Sequence, residues 1–125
     1  MQVLRNHELP QATIPGIVHT TLASRANGLA GVSMWRQRMD PGSATPPHRH
    51  DCEEIVLVLA GSGEVHYDGK VVPFGPDTTL VIPPHVDHQI FATGTVPMET
   101  VAAFSATPVG VTTAAGEVIP LPWAS

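Results

Sequence analysis

The stretch Gly42-Ser43-Ala44-Thr45-Pro46-Pro47-His48-Arg49-His50-Asp51-Cys52-Glu53-Glu54, closed by Gly61, decides how this chain is read. It sets two histidines at i and i+2 and a carboxylate four residues further on. In extended backbone, residues i, i+2 and i+6 share a face, so the spacing predicts His48, His50 and Glu54 on one side of a strand. Two imidazoles and a carboxylate on one face bind a first-row transition metal and leave coordination positions open. His88 lies in a second turn-rich segment that can fold back onto the same site.

Working outward, the chain of 125 residues is long enough for one core and one domain. With 42% hydrophobic and 14% charged residues it has the composition of a folded domain rather than a disordered chain. Thirteen prolines and eleven glycines are spread along it, which argues against long helices and for short strands joined by tight turns. The net charge is −5 with only six Lys plus Arg, so no basic cluster serves a nucleic acid or an anionic membrane. Cys52 is the single cysteine, which excludes an internal disulfide and suits a reducing compartment. No signal-peptide pattern opens the chain and no apolar run approaches a bilayer span, so the expected location is cytoplasmic.

Turn signals divide the rest into strands. Asn27-Gly28 precedes a strand over 32–39, which Asp40-Pro41-Gly42 ends. Ile55 to Leu59 is an unbroken apolar run, expected to be covered on both faces. Gly61-Ser62-Gly63 breaks it, and no helix pattern follows to make it a dinucleotide site. Glu64 to Tyr67 runs into Asp68-Gly69, a type I′ hairpin signal, and Lys70 to Phe74 returns. Further strands are expected at Ile17–Leu22, Thr78–Ile82, Gln89–Ala92 and Met98–Phe104, with weaker ones at Val109–Thr112 and Glu117–Ile119. Eight to ten short strands with turns every eight to twelve residues indicate an all-β sandwich or barrel.

The first segment reads G-x5-H-x-H-x3-E-x6-G and matches the first motif of the cupin superfamily. A second stretch, Asp77-x5-Pro83-Pro84-His85-x2-His88, resembles the second cupin motif. The likeness covers roughly residues 30 to 105. It implies a double-stranded β-helix, a small jelly-roll barrel in a single domain, with an N-terminal arm over 1–30, a barrel over 31–105 and a C-terminal tail over 106–125 packed on the barrel or on a partner. It also implies one divalent metal held by His48, His50, Glu54 and His88. The second motif departs from the family pattern at His85, at Asp77 and at Ala92, and none of these removes a ligand. Fe or Mn is the favoured ion, with Ni, Zn, Co and Cu also suited to such donors.

Other residues are weighed against plainer roles. His85 is the candidate catalytic group, or else a solvated turn residue. On the strand over 32–39, Trp35, Gln37 and Met39 share one face while Arg36 and Arg38 share the other. Arg36 and Gln37 are therefore the candidate substrate contacts, depending on which face turns inward. Cys52 is expected to point away from the site, Asp51 and Glu53 toward solvent, and His7 and His19 to lie on the surface or the arm. The same parity question leaves either His66 or Tyr67 inward. The expected function is a metal-dependent enzyme of dioxygenase, isomerase or lyase type acting on a small oxygen-coordinating molecule, with a non-catalytic ligand-binding or sensing protein as the alternative. A homodimer is expected, since a short barrel leaves sheet edges to protect.

Overall fold

The computed structural model describes residues 1–125, and its regular structure consists of short strands and two brief 3-10 turns. They are β1 (Gln11–Ile14), β2 (Ile17–Ala23), β3 (Ser33–Met39), β4 (Glu54–Ala60), β5 (Ser62–Tyr67), β6 (Lys70–Phe74), β7 (Thr78–Ile82), β8 (Gln89–Thr93) and β9 (Met98–Phe104). All pairings are antiparallel. Six strands form one sheet in the order β1-β2-β3-β9-β4-β7, and three form the other in the order β6-β5-β8. Residues 42–48 continue the smaller sheet beside β8: Gly42 N–H donates to Ala92 O, Thr45 N–H to Ile90 O, and His48 and His88 pair with each other. The result is the jelly-roll barrel of the cupins. No helix is long and apolar enough to cross a membrane.

The turns follow their residues. Asp68 and Gly69 both take positive φ, 50° and 69°, as the type I′ hairpin between β5 and β6 requires. Gly61 has φ +77° where β4 passes to β5, and a Cβ there would meet Pro97 O at 2.5 Å. Only glycine combines that backbone with that closeness.

Alternate residues fill the space between the sheets. One cluster centres on Ile17, Met39, Val58, Ile90 and Met98, and a second on Trp35, Val56, Ile82, Ala102 and Phe104. The tail joins the second cluster through Leu121 and Trp123. Two expectations are corrected. β4 is not covered on both faces: Glu54, Val56 and Val58 are buried, while Ile55, Leu57 and Leu59 are 50%, 41% and 46% exposed, because the chain provides no layer over the outer face of the large sheet. His48, His50 and Glu54 do not lie along one strand either. The chain bends at Asp51 and Cys52, so His48 sits beside β8 while Glu54 opens β4 in the opposite sheet.

Candidate metal centre

His48 and His88 are brought together by the backbone. Each donates its N–H to the other's carbonyl, at 3.0 and 2.9 Å, and their rings stand 4.3 Å apart. His50 follows two residues later, its ring 4.9 Å from that of His48. The three imidazoles are buried, and one ring nitrogen of each lies within 4.8 Å of the others. Glu54 stands beside this triad, its Oε2 3.2 Å from His50 Nε2.

The outer nitrogens fix the protons. His48 Nδ1 is 2.7 Å from Pro46 O, His50 Nδ1 2.8 Å from Gly110 O, and His88 Nδ1 2.8 Å from Val86 O. A carbonyl only accepts, so each Nδ1 carries the hydrogen and each neutral ring presents a bare lone pair at Nε2. His88 Nε2 has no hydrogen-bond partner, and neither has Glu54 Oε2, whose approach to His50 is off hydrogen-bond geometry. Buried acceptors facing one another repel unless a cation or proton sits among them. The donor set therefore fits a divalent first-row metal ion. Burial, with His88 close by, holds the His48 pKa down at about 4, so that ring is neutral at physiological pH. For His50, burial opposes the charge, but Glu54 and the Gly110 carbonyl outweigh it and raise the pKa.

The site opens into a cavity of about 180 Å³ between the sheets. Its walls are largely apolar, formed by Trp35, Met39, Phe104, Leu121 and Trp123 among others, and His48, His50 and Glu54 are its only titratable lining groups. His88 lines the neighbouring cleft beneath β5 to β7 and reaches the triad from that side.

Residues 35–104 match the cupin domain family, more than half of the chain. The chain belongs to the cupin family. This cupin is 36% identical over 124 residues to auxin-binding protein 1 of Arabidopsis thaliana, an alignment that takes in 89% of the chain and 63% of that protein. The chain thus spans less than two thirds of the relative's length. Among solved structures it resembles a predicted oxalate decarboxylase from Thermotoga maritima, with TM-score 0.74 and 26% identity over 84% of this chain and 99% of the other. It also resembles the polyketide cyclase RemF from Streptomyces resistomycificus, with TM-score 0.76 and 18% identity over 99% and 89%, a likeness of fold alone.

The remaining candidates separate cleanly. Gln37 lines the cavity, with Trp35 and Met39 on the same face of β3. Arg36 does not: it points outward and pairs with Glu99 at 2.9 Å, because inward and outward residues alternate along the strand. His85 is an exposed turn residue with φ +65° and does not line the cavity. Cys52 is buried in the apolar cluster, and burial with nearby Asp51 and Glu54 pushes its thiol up to about 11. His66 is half-buried and pairs with Glu64 at 3.1 Å, while Tyr67 is exposed, so neither enters the cavity.

His19 corrects an expectation. It is only 1% exposed, lies opposite Gln37 in the β2–β3 pairing, and stacks on Trp123 at 3.8 Å with the planes 12° apart. The signal for its burial is parity: it sits two residues from Ile17, which is buried on the same face.

Proposed function

We propose that this cupin holds one divalent first-row metal ion through His48, His50 and His88, with Glu54 alongside, and uses it to bind a small, largely apolar organic acid in the cavity. The observation that carries this reading is the set of Nε2 lone pairs, fixed by carbonyl acceptors behind them, facing inward beside an apolar chamber. A bound divalent ion would supply Lewis acidity toward an oxygen donor of the ligand. Set against one carboxylate, it leaves the site net positive, which favours an anionic head group, while Trp35 and Phe104 suit an apolar body. The likeness to auxin-binding protein 1, a protein named for binding auxin, supports a small-molecule ligand. The donors suit Fe or Mn, the expected ions, and equally Zn, Ni, Co or Cu.

The enzymatic reading, with dioxygenase, isomerase or lyase chemistry, is second. It is favoured by the open positions that a facial ligand set leaves for an oxygen-coordinating substrate. Glu54 is then the one cavity group suited to proton transfer, since His85 lies outside. We also propose a homodimer formed through the uncovered face of the large sheet, where register aligns Met34, Ala103, Ile55 and Val81 across four strands. The large apolar side chains exposed there, Met34, Ile55, Leu57, Leu59 and Val81, offer roughly 450 Å², comparable with the apolar share of one side of a standard interface.

The test is to purify tag-free protein, measure its metal content, and titrate it calorimetrically with indole-3-acetate before and after chelation. About one ion per chain and binding that vanishes on chelation support the reading. Equal binding by metal-free protein overturns it.

A further inference from the structure

One polar group that reaches the cavity from β3 is the Gln37 amide, beside the unpartnered indole N–H of Trp35, and the orientation of the amide follows from a chain of hydrogen bonds that begins in the C-terminal tail. Thr21 Oγ1 is 2.6 Å from Ala124 O. That carbonyl only accepts, so the one hydroxyl proton of Thr21 is committed to it. Thr21 Oγ1 is also 2.8 Å from His19 Nε2, and with its proton elsewhere it must accept there. His19 therefore carries its hydrogen on Nε2. Burial keeps the ring neutral, its pKa pulled down to about 4, so Nδ1 is a bare acceptor. Gln37 Nε2 lies 3.0 Å from Nδ1 and donates to it.

The amide end turned toward His19 is thus the NH2 end, and Oε1, which has no protein partner, remains for the cavity that Gln37 lines. Had the tautomer been reversed, the oxygen would face His19 and the cavity would meet two N–H donors instead. The direction of every bond traces to Ala124, and the Trp123 ring stacked on His19 holds the tail at the same place.

We infer that His19 and Thr21 are positioning residues that form a proton-ordered relay from the docked C-terminal tail to Gln37, so that the cavity offers an acceptor and favours acids that carry an N–H or O–H on their apolar body. This rests on the ligand class proposed above. The acid group is drawn to the metal centre, and the relay sets which hydrogen-bonding group the cavity wall at Gln37 offers the rest of the ligand.

Two measurements test it. A long-range proton–nitrogen spectrum of uniformly labelled full-length protein reads the His19 tautomer directly. Hydrogen on Nε2 is expected, and hydrogen on Nδ1 overturns the relay whatever the protein binds. Affinity is then compared, in metal-loaded protein, for indole-3-acetate and its benzothiophene analogue, in which sulfur replaces the ring N–H. Wild type should prefer the indole acid by several-fold, up to about tenfold. Thr21→Val should bring the ratio toward one and Thr21→Ser should restore it. A ratio unchanged in Thr21→Val overturns the relay. If neither acid binds the wild type while the tautomer is as expected, the ligand class fails and the relay stands.

Discussion

His48 and His88 exchange both backbone hydrogen bonds across an isolated bridge, and this pair ties the two motif segments, forty residues apart in sequence number, into one site. The pairing sets two ring nitrogens facing each other before any ion arrives, so little rearrangement is needed on binding. Replacing either ring by alanine should weaken metal affinity by more than about 100-fold, beyond the loss typical of the groups that merely orient a ligand. Elemental analysis and chelator competition read it directly. Competition across pH adds a direction: the raised His50 pKa means protons contest that ligand already above the ordinary imidazole value, so affinity should fall as pH drops through that region. A flat profile from pH 8 to pH 5 would contradict the assignment of His50.

Gly61 predicts a contrast between two glycines of positive φ. A Cβ on Gly61 would stand 2.5 Å from Pro97 O and 2.7 Å from Met98 Cα, both backbone, whereas a Cβ on Gly69 meets nothing within 4 Å. Gly61→Ala combines dihedral strain with a clash that has no flexible end to move, and should destabilise by about 3 kcal/mol or more. Gly69→Ala bears the strain alone and should cost about 1–2 kcal/mol. Chemical denaturation of the two variants tests the ranking, and equal losses would refute it.

What was legible in the sequence had local causes. Turn residues bracket Lys70–Phe74 and Thr78–Ile82 on both sides, and both strands occur with those bounds. The spacing of His48, His50 and Glu54 identifies the site although the chain bends between them, since the motif encodes a meeting of two sheets rather than one strand. The illegible parts depend on distant chain. The β3 face that turns inward is chosen by its pairing with β2 and β9. The burial of His19 depends on Trp123, and its partner Thr21 bonds a residue 103 positions away. The apolar run of β4 signals cover on both faces, and one chain supplies only one of them.

The uncovered face gives a prediction about assembly. Ile55 is half exposed at the middle of the row that runs from Met34 to Val81. Ile55→Glu puts a charge where the proposed dimer is dry, and burying an unpaired carboxylate is strongly unfavourable. Wild type should sediment as a dimer and the variant as a monomer with unchanged metal content. A monomeric wild type at high concentration would dismiss this interface.

Gln37 and Arg36 are neighbours in sequence with opposite positions. Gln37→Ala removes a hydrogen-bonding group from the cavity wall and should weaken ligand binding by roughly tenfold. Arg36→Ala removes an outer ion pair with Glu99 that is partly exposed, and should leave binding unchanged. Calorimetry on metal-loaded protein decides between them, and an effect of Arg36→Ala matching that of Gln37→Ala would argue against the inward face assigned to β3.

His19 makes acid stability depend on a residue far from any charge partner. Its folded pKa of about 4 lies under the ordinary imidazole value of 6.5, because burial disfavours the imidazolium. Between those values the unfolded chain binds more protons than the folded one, so stability rises with pH across the window and is lost as pH falls through it. At about 1.4 kcal/mol per pH unit, one such histidine removes about 3 kcal/mol by pH 4. His48 shifts the same way when no metal is bound, so the two rings add. In metal-free protein, His19→Gln should lower stability at neutral pH by removing the stack on Trp123, yet flatten the decline between pH 6.5 and pH 4 by about half. Urea midpoints taken across that range measure both effects, and a variant curve parallel to wild type would mean that His19 does not remain neutral in the folded state.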